Sequence, residues 1–139
     1  MSERPPFHLA FPVRDLAEAR QFYGELLGCT EGRSSSEWVD FNFYGHQIVA
    51  HLSDEASRSK ENTVDGDQVP VRHFGVVLDM GKWRDIAQRM KDAGAKFIVE
   101  PHIRFAGQAG EQATFFVVDP SGNALEIKAF ENADQLFAT

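Results

Sequence analysis

The feature that most constrains this chain is that it repeats itself. Phe7 to Gly28 reads FHLAFPVRDLAEARQFYGELLG, and Arg72 to Gly94 reads RHFGVVLDMGKWRDIAQRMKDAG. In the first, Phe7, Leu9, Phe11 and Val13 alternate with His8, Ala10 and Pro12; in the second, Phe74, Val76 and Leu78 alternate with His73, Gly75 and Val77. That period of two is the mark of a strand with one apolar face. Behind each strand the period changes. Leu16, Ala19, Phe22, Tyr23, Leu26 and Leu27, and later Trp83, Ile86, Ala87 and Met90, recur at the spacing of an amphipathic helix. Asp15 stands near the first helix start, and Gly28 and Gly94 stand where a left-handed residue ends a helix.

Further strand signals follow each helix. They cover about Glu37–Phe43 and Gln47–Leu52 in the first half, then Phe97–Val99, Thr114–Val118 and Ala124–Phe130 in the second, with turns at Tyr44-Gly45 and Asp119-Pro120-Ser121-Gly122. Each half therefore reads β-α-β-β-β. A sheet covered by a helix on one side gains by turning its other side to a second sheet, so the two halves are expected to pair. The predicted fold is α+β, one domain of two paired β-α-β-β-β modules. Module one spans about 6–52 and module two about 71–130, with a polar linker at about 53–70 that is almost without aliphatic residues.

A chain of 139 residues buries about two thirds of the surface its unfolded form exposes, enough for a core without staples. Apolar residues make up 42 % and charged residues 25 %, as in ordinary globular proteins. Fourteen Lys and Arg against twenty-one Asp and Glu leave a net charge of −7, and no basic run occurs. That balance argues against nucleic acid or an anionic membrane surface as partner. No run approaches the roughly 18 apolar residues of a membrane span, and the polar, proline-rich start gives no signal peptide or anchor. The single cysteine, Cys29, has no partner for a disulfide or a thiolate zinc site. A reducing cytoplasm is the expected compartment, and Cys29 is assigned a structural role.

The last strands of the halves match in kind, Ile48-Val49-Ala50-His51-Leu52 beside Asn123-Ala124-Leu125-Glu126-Ile127, which aligns His51 with Glu126. By alternation His8, His73, His51 and Glu126 all turn away from the rows that pack on the helices. One histidine in a strand is ordinarily a hydrogen-bonded core or surface residue. Four polar groups at matched positions of a repeat instead suggest imidazole and carboxylate ligands for one divalent cation, with positions left open for substrate or water.

The chain also resembles a known family. HLAFPVRDLAEARQFYGELLG, HFGVVL and FFVVDPSGNALEIKAF resemble the vicinal oxygen chelate superfamily, which includes glyoxalase I, bleomycin resistance proteins, fosfomycin resistance enzymes and extradiol dioxygenases. The DPxGxxxE turn leading to Glu126 is the most specific piece. The resemblance implies a half-open barrel of paired modules around a metal, with His8, His73 and Glu126 as ligands. It also implies departures from each branch. His51 stands where glyoxalase I carries a glutamate that moves protons, Phe116 stands where extradiol dioxygenases carry a tyrosine, and Ala10 stands where fosfomycin enzymes carry a threonine. The Gly107-Gln108-Ala109 segment lacks the histidine that extradiol enzymes have nearby. Bleomycin-binding members generally lack the ligands that this chain retains.

The expected function is thus a metal-dependent enzyme acting on a small molecule that chelates through adjacent oxygens. A dioxygenase-like oxidoreductase with Fe2+ is favoured, with Zn2+, Ni2+ and Mn2+ as other metals. The alternatives are a glyoxalase-like lyase or isomerase and a non-catalytic drug- or metabolite-binding protein. His51 is assigned to the metal or to acid–base work, the ligand role being favoured. Arg104 is a candidate for an anionic group of the substrate, with solvated surface as the plainer reading. Trp38, Asp40 and Asn42 share one strand face that would line the pocket, and Phe116 would be an apolar wall. Ala106–Glu111 is a lid or simply a long hairpin connection. His46 and His102 are not expected to be ligands. A homodimer is expected, because a half-open barrel leaves sheet edges to cover.

Overall fold

The computed structural model describes residues 4–54, 60–64, 67–108, 111–132, 134 and 136–137. The chain divides into two compact units, one made of Met1–Arg58 with Asp119–Asn123 and the other of Ser59–Val118 with Ala124–Thr139. No helix among the described residues is long and apolar enough to cross a membrane.

Unit one contains β1 (His8–Val13), a helix, β2 (Thr30–Ser34), β3 (Trp38–Phe43) and β4 (His46–Leu52). The helix opens as α1 (Leu16–Ala19), capped by Asp15, whose carboxylate accepts from the Glu18 amide at 2.9 Å. It continues as a π-helical stretch, Arg20–Leu26. The wider turn ends in Leu27 N–H to Phe22 O and Cys29 N–H to Tyr23 O bonds, and Gly28 takes the left-handed conformation there at φ 74°. The sheet order is β1-β4-β3-β2, with β1 parallel to β4 and the rest antiparallel. Alternation sends Phe11, Val13, Val39, Phe41, Phe43, Ile48 and Ala50 into the core. Tyr23 meets the rings of Phe11 and Phe41 there.

Unit two contains β5 (Lys60–Val64), β6 (Asp67–Val71), β7 (Phe74–Leu78), α2 (Met80–Asp92), β8 (Lys96–Arg104), β9 (Gln112–Val118) and β10 (Ala124–Phe130). Its four-stranded sheet has the order β7-β10-β9-β8, the same pattern as unit one, so the repeat read from the sequence is a repeat of topology. Asp79 caps α2 as Asp15 caps α1. Trp83, Ile86, Ala87 and Met90 of α2 are buried, as are Phe115, Val117, Leu125, Ile127 and Ala129 of the sheet. The Trp83 indole donates to Ile127 O at 2.9 Å, which satisfies its one polar atom inside the core. Neither four-stranded sheet closes on itself, in keeping with the open arrangement expected of the fold.

The segment expected as a linker differs from that expectation. Lys60–Val64 and Asp67–Val71 pair antiparallel as a two-stranded sheet of their own. Val69 packs with Val99 and Phe116 and with the half-buried Ile98, so this hairpin is anchored in unit two.

Candidate functional site

The site builds up from β7 and β10. These strands run parallel, with Glu126 opposite Gly75. Leu125 and Ile127 are buried on the α2 side, so Glu126 stands on the other face, as its alternation requires. His73, just before β7, shares that face. Its Nε2 lies 3.4 Å from Glu126 Oε1. Of the expected ligands, these two are brought together within one unit.

The hydrogen bonds around the pair fix what those facing atoms are. His73 Nδ1 lies 2.7 Å from Pro70 O. A carbonyl oxygen only accepts, so Nδ1 carries the proton, and in the neutral ring Nε2 is a bare lone pair turned to a carboxylate oxygen. Two acceptors facing one another call for a cation or a proton between them. Glu126 is held equally well, because the Thr114 hydroxyl donates to its other oxygen, Oε2, at 2.6 Å. Thr114 is fully buried, so this bond is shielded from water. Phe116, opposite Glu126 on β9, sets its ring against His73 edge-on at 4.8 Å. The apolar wall expected from Phe116 is therefore a wall against the imidazole itself.

Two backbone features make the geometry possible. Arg72, between β6 and His73, has φ 103°. A side-chain-bearing residue held in that region carries strain of about 1–3 kcal/mol, and here it turns the chain so that His73 folds back on Pro70. At Gly75 a Cβ would lie 1.6 Å from Glu126 O and 2.6 Å from Glu126 C. Only glycine lets β7 pass so close to β10 beside the carboxylate.

His8 opens β1 in unit one, exposed. Its Nδ1 lies 2.8 Å from Gln47 Oε1. The amide oxygen again only accepts, so Nδ1 is the donor, and in the neutral ring Nε2 is the lone pair, the same tautomer as in His73. His46 is bound the opposite way: its Nδ1 accepts from the Phe7 amide at 2.8 Å, which places its proton on Nε2 and suits the non-ligand role expected of it. His102 Nδ1 is tied to Glu100 O at 2.9 Å.

For His51 the register corrects the sequence alignment. His8 pairs with Gln47 whereas His51 pairs with Pro12, so about 13 Å of strand separates the two histidines on one sheet. Imidazoles rising side by side from one sheet cannot span that gap to one ion, and His51 is not a co-ligand of His8. Nor is it the counterpart of Glu126. Glu126 pairs with Gly75, whose equivalent Ala10 pairs with Val49. The place symmetric to the carboxylate is held by buried Val49. His51 instead lies across from Trp38 on β3. Among the described residues, no group of three or more His, Cys, Asp and Glu side chains is assembled ready for a metal.

Arg104 ends β8 opposite Gln112, and the Nε and Nη2 of its guanidinium are buried rather than bathed in solvent. The connection after it is tied to itself, with Gln108 N–H to Phe105 O and Glu111 N–H to Gln108 O bonds and a Gly107 amide on Glu111 Oε1 at 2.8 Å. Ala109 and Gly110 of that segment lie outside the described residues. Trp38 and Asp40 are half-buried and Asn42 is exposed, alternating with buried Val39, Phe41 and Phe43, so the shared face predicted for them is present. Cys29 is buried, and burial pushes its thiol up to about 12, which leaves it unreactive at neutral pH.

Sequence reasoning passed over Gln47, Pro70 and Thr114. Gln47 and Thr114 each stand on the same sheet face as the residue they hold, His8 and Glu126, which is the signal that would have found them. Pro70 acts through its carbonyl and leaves no such signal.

Comparison with known proteins agrees with this architecture. A family profile, the Glyoxalase/Bleomycin resistance protein/Dioxygenase superfamily, matches residues 6–127. The crystal structure of a glyoxalase/bleomycin resistance protein/dioxygenase from Alicyclobacillus acidocaldarius is 35 % identical, with 96 % of each chain covered and a TM-score of 0.77. The fosfomycin resistance protein FosX from Listeria monocytogenes is similar at 16 % identity and a TM-score of 0.72, over 96 % of this chain and 98 % of its own. FosX from Mesorhizobium loti is similar at 14 % identity and a TM-score of 0.68, over 98 % and 99 %. At those identities the two FosX proteins share the fold. No protein of curated function is matched by the sequence. With the profile spanning nearly its whole length, the chain belongs to the glyoxalase/bleomycin resistance protein/dioxygenase superfamily.

Proposed function

We propose that this protein is a divalent-metal-dependent enzyme acting on a small organic molecule that chelates the metal through adjacent oxygens, with His8, His73 and Glu126 as protein ligands. The observation that carries the proposal is the bare Nε2 of His73 facing Glu126 Oε1 at 3.4 Å, with the far side of each group already bound, to Pro70 O and to Thr114. Both donors are pre-aimed at a shared point, which suits a divalent ion that accepts nitrogen and carboxylate ligands. His8 presents the same tautomer. When bound, the ion supplies Lewis acidity to the chelated oxygens and, as iron, redox chemistry with O2. Around it, Phe116 gives an apolar wall that excludes water on one side of His73, and Arg104 offers a guanidinium for an anionic substrate group.

Two histidines and one carboxylate are the set associated with non-haem Fe(II) oxygenases, so a dioxygenase-like reaction is the first choice. Phe116 favours the second, a glyoxalase-like lyase or isomerase on Zn2+, Ni2+ or Mn2+, since a buried phenyl at that place brings no acid or base to a catechol. Elemental analysis of protein purified without chelators or a nickel column is expected to give about one divalent ion per chain. Glu126→Ala is expected to lose most of it, because the only anionic ligand is gone. O2 uptake on catechols then separates the dioxygenase from an isomerase tested on hemithioacetals, and turnover of neither class favours a binding protein. Equal metal content in wild type and Glu126→Ala overturns the ligand assignment.

A further inference from the structure

We propose that Gln47 is a positioning residue that, oriented by Asp40, fixes the tautomer of His8 and so presents its Nε2 as a lone pair. The inference rests on the reading of His8 as a ligand. Gln47 Oε1 lies 2.8 Å from His8 Nδ1. An amide can face a ring nitrogen with either end, and the choice here is made by its other end, since Gln47 Nε2 donates to Asp40 Oδ2 at 3.2 Å. Reversing the amide would turn its oxygen to the Asp40 carboxylate, a repulsive contact in place of a bond, so the oxygen faces Nδ1 and Nδ1 is the donor. Asp40 therefore sets Gln47, and Gln47 sets His8.

The strands supply this arrangement. Gln47 pairs with His8 on β1 and with Asn42 on β3, and Asp40 stands one pleat further along β3 on the same face. Gly32 of β2 flanks Asp40, where an added Cβ would come within 3.4 Å of the Asp40 Cβ. In unit two the same task falls to a backbone oxygen, Pro70 O. In unit one a side chain, Gln47, takes that place. The two halves thus reach one ring tautomer by different means. Partners of this kind are typically worth 10–100-fold in metal affinity.

The test has a readout that needs no metal. In metal-free protein labelled with 15N at histidine, His8 is expected to show protonated Nδ1 and bare Nε2. Gln47→Leu is expected to return the ring to the Nε2–H form that free histidine prefers, and to weaken Zn2+ binding in titrations by about 10–100-fold. The double variant D40N/Q47E keeps an acceptor against Nδ1 and a donor behind it, and is expected to restore both the tautomer and the affinity. A wild-type ring already protonated on Nε2, or a Gln47→Leu ring with an unchanged tautomer, overturns the proposal. Wild-type protein that binds no Zn2+ while its tautomer follows Gln47 sinks the metal reading and leaves the positioning role standing.

Discussion

At the residue scale, the arrangement is decided by which atom of each polar group is already occupied. His73, His8 and Glu126 each have one atom bound, by Pro70 O, Gln47 and Thr114, and one atom presented. Among the described residues, His51 has no such partner. It is exposed near the end of β4, four positions along from the residue that pairs with His8. His51→Ala is accordingly expected to bind Zn2+ within about twofold of wild type, whereas loss of a true ligand costs far more. Calorimetric titration checks this, and a loss of tenfold or more would return His51 to the ligand set. The sequence pointed to His51 because its neighbours match those of Glu126 in kind. The register places Val49, two positions before His51, opposite Ala10, as Glu126 lies opposite Gly75. A match by residue type does not see that difference, and only the register does.

At the scale of elements, what was legible was what burial dictates. β10 was read with its observed bounds, because Leu125, Ile127 and Ala129 alternate without a break, and both helices ended at their glycines. The β5–β6 hairpin was not read, since its strands hold few apolar residues to reveal a period, although the Asp65-Gly66 pair between two runs is a hairpin signal. That omission matters, because β6 carries Pro70 and delivers the carbonyl that holds His73. Gly75 shows how tightly the next element is fitted. Its equivalent in unit one is Ala10, which carries a Cβ, so the glycine is needed only where β7 meets β10. Gly75→Ala is expected to destabilise the protein by about 3 kcal/mol, since the new methyl meets backbone that cannot rotate away. Denaturant unfolding measures this, and a variant as stable as wild type would show that β10 can retreat freely.

At the scale of the whole molecule, the chain leaves unit two after β9, contributes Asp119–Asn123 to unit one, and returns for β10. The turn is fastened there by a buried network. The Tyr23 hydroxyl donates to Asp119 Oδ2 at 2.7 Å, and the amides of Ser121 and Asn123 donate to Asp119 Oδ1. The Asn123 side chain donates to Asp119 Oδ2 and to Pro12 O. Burial first, and then the Asp119 carboxylate, hold the Tyr23 hydroxyl well above its usual value. A group whose proton is held more tightly in the folded state lends stability below its unfolded value and loses it as pH rises beyond. For Tyr23 that loss starts at about pH 10. Cys29, raised to about 12 from 9.0, adds a loss of the same sign from about pH 9. Wild-type stability in urea is therefore expected to fall above pH 9 and more steeply above pH 10, by up to about 1.4 kcal/mol per pH unit for each group. Tyr23→Phe is expected to start about 1–3 kcal/mol lower at pH 8, because Asp119 loses a buried donor. Its decline above pH 10 should be shallower by the tyrosine's share. If the two proteins decline in parallel above pH 10, Tyr23 is not the group that couples this turn to folding.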